Sequence, residues 1–213
     1  DGAPLLPPIA LTDEVTGLAA AFATMVAVHS GVGQIVDANL LETMFHLMGP
    51  LTSLFGVTGE QQPRLGAGLP YTVPRGTYRC RDATWVAVST SSDSVAARVL
   101  DLIGVGDDLR FTTFAGRAEH REELEARMAE WCAERTRDEV IERFTDAEAA
   151  IGPVYDMADI ADDPHYAHRG TVESLDDTPM QSVIARLSAT PGALRWTGRR
   201  LDADGDRIRS TGW

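Results

Sequence analysis

Residues 13–30, DEVTGLAAAFATMVAVHS, constrain the fold of this chain more than any other segment. Apolar and small side chains occupy every face of a helix drawn through them, and no polar stripe remains between Leu18 and Val28. A helix that is apolar all round must be covered on several sides, so we predict a buried helix over residues 13–30. Its most apolar stretch, residues 18–28, is far too short to span a bilayer, and we expect no membrane segment.

Asp13 stands where the proline-rich segment PPIALT meets this helix. The ordinary role of an aspartate at a helix start is capping, because its carboxylate accepts a hydrogen bond from a free backbone N–H of the first turn. Spacing alone favours capping strongly over a chemical role. We therefore predict that Asp13 caps the helix.

Charge and residue usage exclude several classes of function. The 213 residues carry 32 acidic and 19 basic side chains, and the net charge of −13 argues against nucleic acid and anionic membranes as partners. Every basic residue is Arg, which excludes a lysine Schiff base and a phosphate-loop lysine. The only cysteines, Cys80 and Cys132, lack metal-type spacing. We interpret them as reduced, buried thiols of a cytoplasmic protein, and we expect no metal site.

The segment after the first helix alternates between apolar patterns and loop composition. QIVDANL has the alternation of a short strand, and LLETMFHLMGPLTSLFG is typical of a second apolar helix. His46 lies inside that second helix and is interpreted as a buried core histidine rather than a catalytic one. Residues 59–76 are rich in Pro and Gly, which indicates a long connection with little regular structure.

A compact unit with both helices and strands is predicted next. TYRC and TWVAVST, separated by RDA, indicate a β-hairpin, and SDSVAARVLDLIG a capped helix. GRAEHREELEARMAEWCAERT is predicted as one amphipathic helix whose apolar stripe is Leu124, Met128 and Trp131. Thr136 and Glu139 have the spacing of a capping box at the start of another helix.

The last third of the chain has weaker patterns. DMADIADDP predicts a short helix, HYAHRGTV a loop, and SVIARLSATPGALRWTG a strand-like, turn-rich end. His165 and His168 fall in the predicted loop, and without a further ligand at metal spacing we interpret them as surface residues. No dinucleotide fingerprint, phosphate loop, H-E-x-x-H or G-x-S-x-G is present. The residues by themselves thus indicate an acidic, two-part globular chain with one aspartate at an unusual place.

Five segments of the chain resemble the family III CoA-transferases, the CaiB/BaiF-type group of formyl-CoA transferase, carnitine CoA-transferase and α-methylacyl-CoA racemase. The first is ALTDEVTGLAAAFATMVAVHSGVGQIVDANLLETM, which matches an aspartate followed by Thr-Gly, a small-residue helix and Gly-x-Gly-Gln-x-Val-Asp. RLGAGLPYTVPRGTYRCRDATWVAV, GRAEHREELEARMAEWCAERTRDEVIERF, IGPVYDMADIADDPHYAHRG and TPGALRW follow in the family's order. One such segment is weak evidence, whereas five in order are strong.

The resemblance implies an α/β fold, mixed α+β in this chain, of the interlocked-dimer type. Residues 1–70 would be the rear part of a Rossmann-like large domain, residues 71–153 a small α+β domain, and residues 154–213 a return segment to the large domain. Family members are about twice as long, so the front of the large domain, which supplies most coenzyme A contacts, is expected to be missing here. No coenzyme A-binding residue can therefore be assigned.

The resemblance also gives Asp13 a chemical role, because it matches the family's nucleophile. Coenzyme A enters as the acyl-CoA substrate and no metal is required. Attack of Asp13 on the thioester would give an acyl–aspartyl anhydride and free CoA thiolate, and then an aspartyl-CoA thioester that an incoming carboxylic acid reopens. A helix N-terminus favours the ionised carboxylate that this attack needs.

Two alternatives remain open. In an acyl-CoA racemase or epimerase of the same superfamily, Asp13 would act as a base at the α-carbon; the residues after it, EVTG, resemble the transferases more closely. The chain could instead be a non-catalytic partner of a heteromeric CoA-transferase. In either case we expect a homodimer, or a heteromer with a chain that supplies the front half.

Overall fold

The computed structural model describes residues 4–212 and contains both helices and antiparallel strands, which confirms the predicted mixed α/β class. The chain divides into two compact units, Asp1–Pro70 and Tyr71–Trp213. The assignment of residues 1–70, 71–153 and 154–213 to parts of the family fold stays a prediction.

The first unit is helical over its described residues. Its helices are α1 (Leu11–Ser30), α2 (Leu40–His46) and α3 (Leu51–Thr58). The predicted strand QIVDANL is wrong, because residues 32–39 have no regular structure and no strand of this described unit is available to pair with them. The single apolar helix predicted after it is also wrong. Gly49, at φ +60°, and Pro50 separate α2 from α3, and proline is tolerated at a helix start but not in its interior.

Helix α1 is not covered by the described residues, so the burial that its apolar faces predict is not supplied within residues 4–212. Thr16 is its only buried residue, and Phe22, Met25 and Val28 are each more than 60% exposed. At 20 residues and a mean hydropathy of 1.4, α1 is long and apolar enough to cross a membrane, which corrects the shorter span read from the sequence. A core helix of a soluble protein meets the same criterion. His46, predicted to be buried, is exposed at the end of α2.

The second unit begins with a three-stranded antiparallel sheet. Its strands are β1 (Arg75–Arg79), β2 (Trp85–Ser89) and β3 (Ile151–Pro153), in the order β1-β2-β3. The predicted hairpin is confirmed, with Tyr78 of β1 opposite Val86 of β2. Strand β3 pairs antiparallel with β2 from the far end of the α+β segment. The third strand of the sheet therefore comes from a part of the chain that is distant in sequence from the hairpin.

Four helices follow in this unit: α4 (Asp93–Leu102), α5 (Phe114–Glu119), α6 (Arg121–Ala133) and α7 (Arg137–Asp146). Residues of α4, α6 and α7 pack with the sheet in one core cluster, and α5 packs against α6. The predicted stripe is confirmed, since Leu124, Met128 and Trp131 are all buried. The capping box is also confirmed: the Glu139 N–H donates to Thr136 Oγ1 at 3.3 Å, and the Thr136 N–H donates to Glu139 Oε2 at 2.7 Å. The prediction of one long amphipathic helix is wrong in one respect, because the helix is interrupted at His120 and forms α5 and α6.

The last segment is more helical than its sequence indicated. It contains α8 (Met157–Asp162), α9 (Pro164–Arg169), β4 (Val172–Leu175), β5 (Thr178–Gln181) and α10 (Gly205–Thr211). The predicted loop HYAHRGTV is wrong over α9, where Asp163 caps the helix through hydrogen bonds from the His165 and Tyr166 N–H groups. The strand-like pattern of residues 182–198 is wrong as well, since these residues have no regular structure.

Candidate active site

Asp13 is the third residue of α1, within its first turn, and is solvent-exposed. The capping prediction is wrong, because the residue at the N-cap position is Ala10 and no side chain caps the helix. Within the part of the chain that the structure describes, the Asp13 side chain has no hydrogen bond and no ion pair. The helix dipole still favours a negative charge at this position. Asp13 is therefore a free carboxylate at the positive end of a long helix.

A glycine in the next turn of α1 leaves open space beside Asp13. Gly17 lies one turn further along α1, on the same face as Asp13. A Cβ atom added at Gly17 would meet no other atom within 4 Å. Neither packing nor a left-handed backbone explains the glycine, although glycine in a helix interior costs about 1 kcal/mol relative to alanine. The neighbouring Thr16 is buried, and its hydroxyl donates to the Thr12 carbonyl at 2.8 Å.

Within residues 4–212, no cationic side chain pairs with this carboxylate. The first basic side chain after the N-terminus, other than His, is Arg64, so α1, α2 and α3 contain neither Arg nor Lys. The first turn of α1 instead holds two carboxylates, Asp13 and Glu14. An unpaired carboxylate is available as a nucleophile or a base, whereas one held by arginine is not.

The glycine motif of the same sequence block lies elsewhere. Gly31, Gly33 and Gln34 follow the C-terminal end of α1 and line a cavity of about 560 Å³. Fifteen residues of helix from Asp13 to Val28 correspond to about 22 Å at 1.5 Å per residue. The structure therefore does not bring the GVGQ segment and Asp13 together within one pocket.

The cysteines are placed as predicted. Cys80 and Cys132 are both free and buried, and both belong to the core of the second unit. Burial, and then the neighbouring Cys80, raise the pKa of Cys132 to about 12, and burial also raises the pKa of Cys80. Because a thiolate is the reactive form of cysteine, neither thiol is a candidate nucleophile.

Other titratable groups of the second unit stabilise its structure. Arg137 forms a two-point ion pair with Asp159, at 3.1 and 3.2 Å, and these hydrogen bonds lower the pKa of Asp159. The Tyr78 hydroxyl donates to Glu125, and burial followed by that carboxylate raises the pKa of Tyr78 well above its usual range. Neither pair is predictable from local sequence patterns, because the partners are 22 and 47 residues apart.

Metal ligands are not assembled in the described part of the chain. His165 and His168 are exposed on α9, so their interpretation as surface residues is confirmed. Residues 4–212 contain no group of three His, Cys, Asp or Glu side chains placed to hold a metal ion. Asp13 is thus the one residue of the sequence prediction for which the structure leaves a chemical role open.

Comparison with known proteins identifies the relatives of this chain. The sequence profile of CoA-transferase family III matches residues 1–204. The succinyl-CoA–D-citramalate CoA-transferase of Chloroflexus aurantiacus is 31% identical over 205 residues, which cover 91% of this chain and 51% of that protein. The alpha subunit of the succinyl-CoA–L-malate CoA-transferase of the same organism is 31% identical over 214 residues, covering 93% of this chain and 49% of the relative.

Solved structures agree with the sequence comparison. A CaiB/BaiF family protein from Brucella suis superimposes with a TM-score of 0.79 at 24% identity, over 99% of this chain and 57% of that structure. This likeness shows that the two chains share a fold. The chain spans about half the length of the curated relatives it matches. By its sequence profile and its relatives, the chain belongs to CoA-transferase family III.

Proposed function

We propose that this chain takes part in CoA transfer between an acyl-CoA thioester and a free carboxylic acid, with Asp13 as the nucleophile. The observation that carries the proposal is the Asp13 carboxylate, exposed and unpaired among the described residues, in the first turn of α1. Membership of a family of CoA-transferases supports the reaction class. The open backbone at Gly17 supports the approach of a substrate to this carboxylate.

The reaction proceeds by four acyl transfers, and the complete cycle neither consumes nor releases a proton or an electron. One oxygen of the Asp13 carboxylate attacks the thioester carbonyl, the C–S bond breaks, and CoA leaves as its thiolate. The thiolate then attacks the aspartyl carbonyl of the anhydride and releases the donor acid. The acceptor carboxylate attacks the aspartyl thioester, which forms a second anhydride and frees the thiolate again. Attack of the thiolate on the acceptor carbonyl gives the new acyl-CoA and regenerates Asp13.

The names of the relatives indicate which substrates to assay first. Both C. aurantiacus relatives are named as succinyl-CoA transferases, with D-citramalate or L-malate as the second substrate. We therefore propose succinyl-CoA as the donor and a small hydroxydicarboxylic acid as the acceptor. The assay uses the protein assembled with a chain that supplies the front half of the large domain, because this chain spans only half of its relatives.

The test supplies succinyl-CoA and ¹³C-labelled L-malate or citramalate to this assembly. The proposal predicts labelled acyl-CoA together with one equivalent of free succinate. Release of free CoA without any labelled thioester would show hydrolysis instead, and would overturn the proposed transfer. Labelled succinate with the unlabelled malyl-CoA or citramalyl-CoA serves as the control for the reverse direction.

The exposed apolar surface of α1 leads to a prediction about assembly. Phe22, Met25 and Val28 lie exposed on a helix that has no charged residue after Glu14, and large apolar patches drive association. We propose a homodimer, or a heteromer with a chain that supplies the front half; one relative is itself named as an alpha subunit. The 213-residue chain alone is expected to sediment as an associated species and to bind a hydrophobic dye. A clean monomer with no dye binding would contradict this expectation.

Gly17→Ala is expected to raise the stability of α1 and to lower the rate of transfer. In α1 the new methyl group meets open space, so the helix should become more stable by about 1 kcal/mol. Transfer by the assembled protein should nevertheless fall at least about tenfold, because a methyl group one turn from Asp13 obstructs the approach of the thioester. Circular dichroism on melting and the kcat/KM of transfer measure the two effects.

Gly56→Ala is the matched control for this variant. Gly56 is also helical, in α3, and a Cβ atom there also meets nothing within 4 Å. The Gly56→Ala variant should raise the stability of α3 by a similar amount and leave kcat/KM unchanged. If Gly17→Ala and Gly56→Ala have the same kinetics, the glycine next to Asp13 has no role in substrate approach.

A further inference from the structure

A surface cleft of the second unit lies far along the chain from Asp13. It is formed where α9 ends, beside β4 and the irregular segment that follows β5, and its volume is about 330 Å³. A volume of this order is sufficient for a small ligand. The side chains and backbone that line it include Arg169, Gly170, Glu173, Ser182, Val183 and Arg186.

Two arginines that line this cleft have no counter-ion among residues 4–212. In the described residues, Arg169 and Arg186 form no ion pair, no side-chain hydrogen bond and no ring contact, whereas Arg199, Arg207 and Arg209 of the same part of the chain each pair with an aspartate. The chain carries 32 carboxylates against 19 arginines, so unpaired arginines are not explained by a shortage of partners. Two like charges that line one cleft repel each other unless an anion lies between them.

The one carboxylate in the cleft does not neutralise them. The Ser182 hydroxyl donates a hydrogen bond to Glu173, which anchors that side chain to the neighbouring segment. Two guanidinium groups and one carboxylate leave the cleft with one net positive charge. In a chain of net charge −13 this is a local reversal of sign. The cleft attracts a small anion, whereas the negative charge of the rest of the chain repels a large polyanion.

Two glycines shape the walls of the cleft. Gly170 ends α9 in the left-handed conformation, at φ +55°, which directs the chain from Arg169 into β4. Gly192 lies so close to Val183 that an added Cβ atom would be 3.2 Å from Val183 Cγ1. The segment between Val183 and Gly192, which carries Arg186, is therefore folded back on itself. The close contact between these two residues fixes the wall of the cleft opposite α9.

We propose that this cleft binds a small oxyanion through Arg169 and Arg186. Guanidinium groups bind phosphate and carboxylate oxygens by charge-assisted, two-point hydrogen bonds, so the ligand class is a phosphate or a small carboxylate. The phosphate would come from a nucleotide-type molecule and the carboxylate from a small organic acid. This inference does not rest on the chemistry of Asp13, and it can hold or fail independently of the proposed transfer.

The test measures the NMR signal of the ligand rather than that of the protein, because the ligand signal can be measured even if the chain associates. Inorganic phosphate is titrated against the 213-residue chain at constant ionic strength, and the excess ³¹P line width is followed. A saturable excess is expected at millimolar phosphate. Adenosine 3′,5′-bisphosphate and succinate are then added as competitors, and the stronger one identifies the phosphate or the carboxylate as the preferred source.

Four variants show whether the signal comes from the cleft. Arg169→Gln and Arg186→Gln should each weaken phosphate binding about tenfold, and Glu173→Gln should strengthen it several-fold, because it removes the opposing charge. Arg200→Gln is the control, since Arg200 is also exposed but does not line the cleft. A non-saturable line width, or the same affinity in Arg169→Gln, Arg186→Gln and Arg200→Gln, would overturn the proposal.

Discussion

Asp13→Asn in the assembled protein is expected to lower the rate of CoA transfer by about three orders of magnitude or more. An amide oxygen is too weak a nucleophile to open a thioester, and loss of a nucleophile removes the covalent route altogether. The fold should not change, because Asp13 is exposed and its side chain makes no hydrogen bond within residues 4–212. The measurement is kcat for transfer, with circular dichroism as the check on folding.

Glu14→Gln is the matched control for the nucleophile. Glu14 is the adjacent residue of the same helical turn, it is also exposed, and the change removes the same charge. It should change kcat by no more than a few-fold. If Asp13→Asn keeps more than a tenth of the activity, or if both variants lose activity equally, the carboxylate of Asp13 is not the nucleophile.

Phe144→Ala is expected to destabilise the second unit by about 3–5 kcal/mol, the range found when a large aromatic side chain is removed from a core. Phe144 of α7 is 0% exposed and packs edge-on against Trp131 of α6, with ring centroids 5.9 Å apart. The same core cluster includes Val86 of β2, so the ring joins two helices to the sheet. Urea unfolding followed by tryptophan fluorescence measures the change.

Phe22→Ala is the control, because it makes the same chemical change on a side chain that is 73% exposed. It should alter the unfolding of the second unit by less than about 0.5 kcal/mol. The same variant should weaken the association of the chain, since it removes apolar surface from α1. A loss of less than about 1 kcal/mol for Phe144→Ala would mean that this core does not hold the helices to the sheet.

The sequence predicted best those elements that are specified by neighbouring residues. The stripe of Leu124, Met128 and Trp131 and the capping box of Thr136 and Glu139 depend on spacings of three or four residues, and both are confirmed. The hairpin is confirmed for the same reason, because its two strands are separated by a short turn. Helix α9 was missed although Asp163, Pro164 and Gly170 carry its start and stop signals.

Features that depend on distant partners could not be predicted. The alternation of QIVDANL is necessary for a strand but not sufficient, since no strand of its unit pairs with it among the described residues. The apolar pattern of α1 shows that the helix needs cover, but a pattern cannot say which chain supplies it. The cleft of Arg169 and Arg186 is not predictable from the sequence, because two arginines separated by such a length of chain form no motif.

Asp13 lies at a different position in its helix from the one that its spacing predicted. Resemblance to the family singled out this residue, while the capping role expected from its spacing is wrong. Its place in the first turn, rather than at the N-cap, leaves both carboxylate oxygens free of backbone N–H groups in the described structure. A free carboxylate suits either covalent attack or proton abstraction, so the racemase and the transferase alternatives make the same demand on this position.

Hydroxylamine trapping combined with solvent deuterium exchange separates these roles most directly. The assembled protein turns over succinyl-CoA in D₂O with hydroxylamine present, and peptides of α1 and the substrate are then analysed by mass spectrometry. Covalent transfer predicts a hydroxamate on Asp13 and no deuterium at the α-carbon of the substrate. Deuterium at the α-carbon without any adduct on Asp13 would show that this carboxylate is a base, and would contradict the proposed CoA transfer.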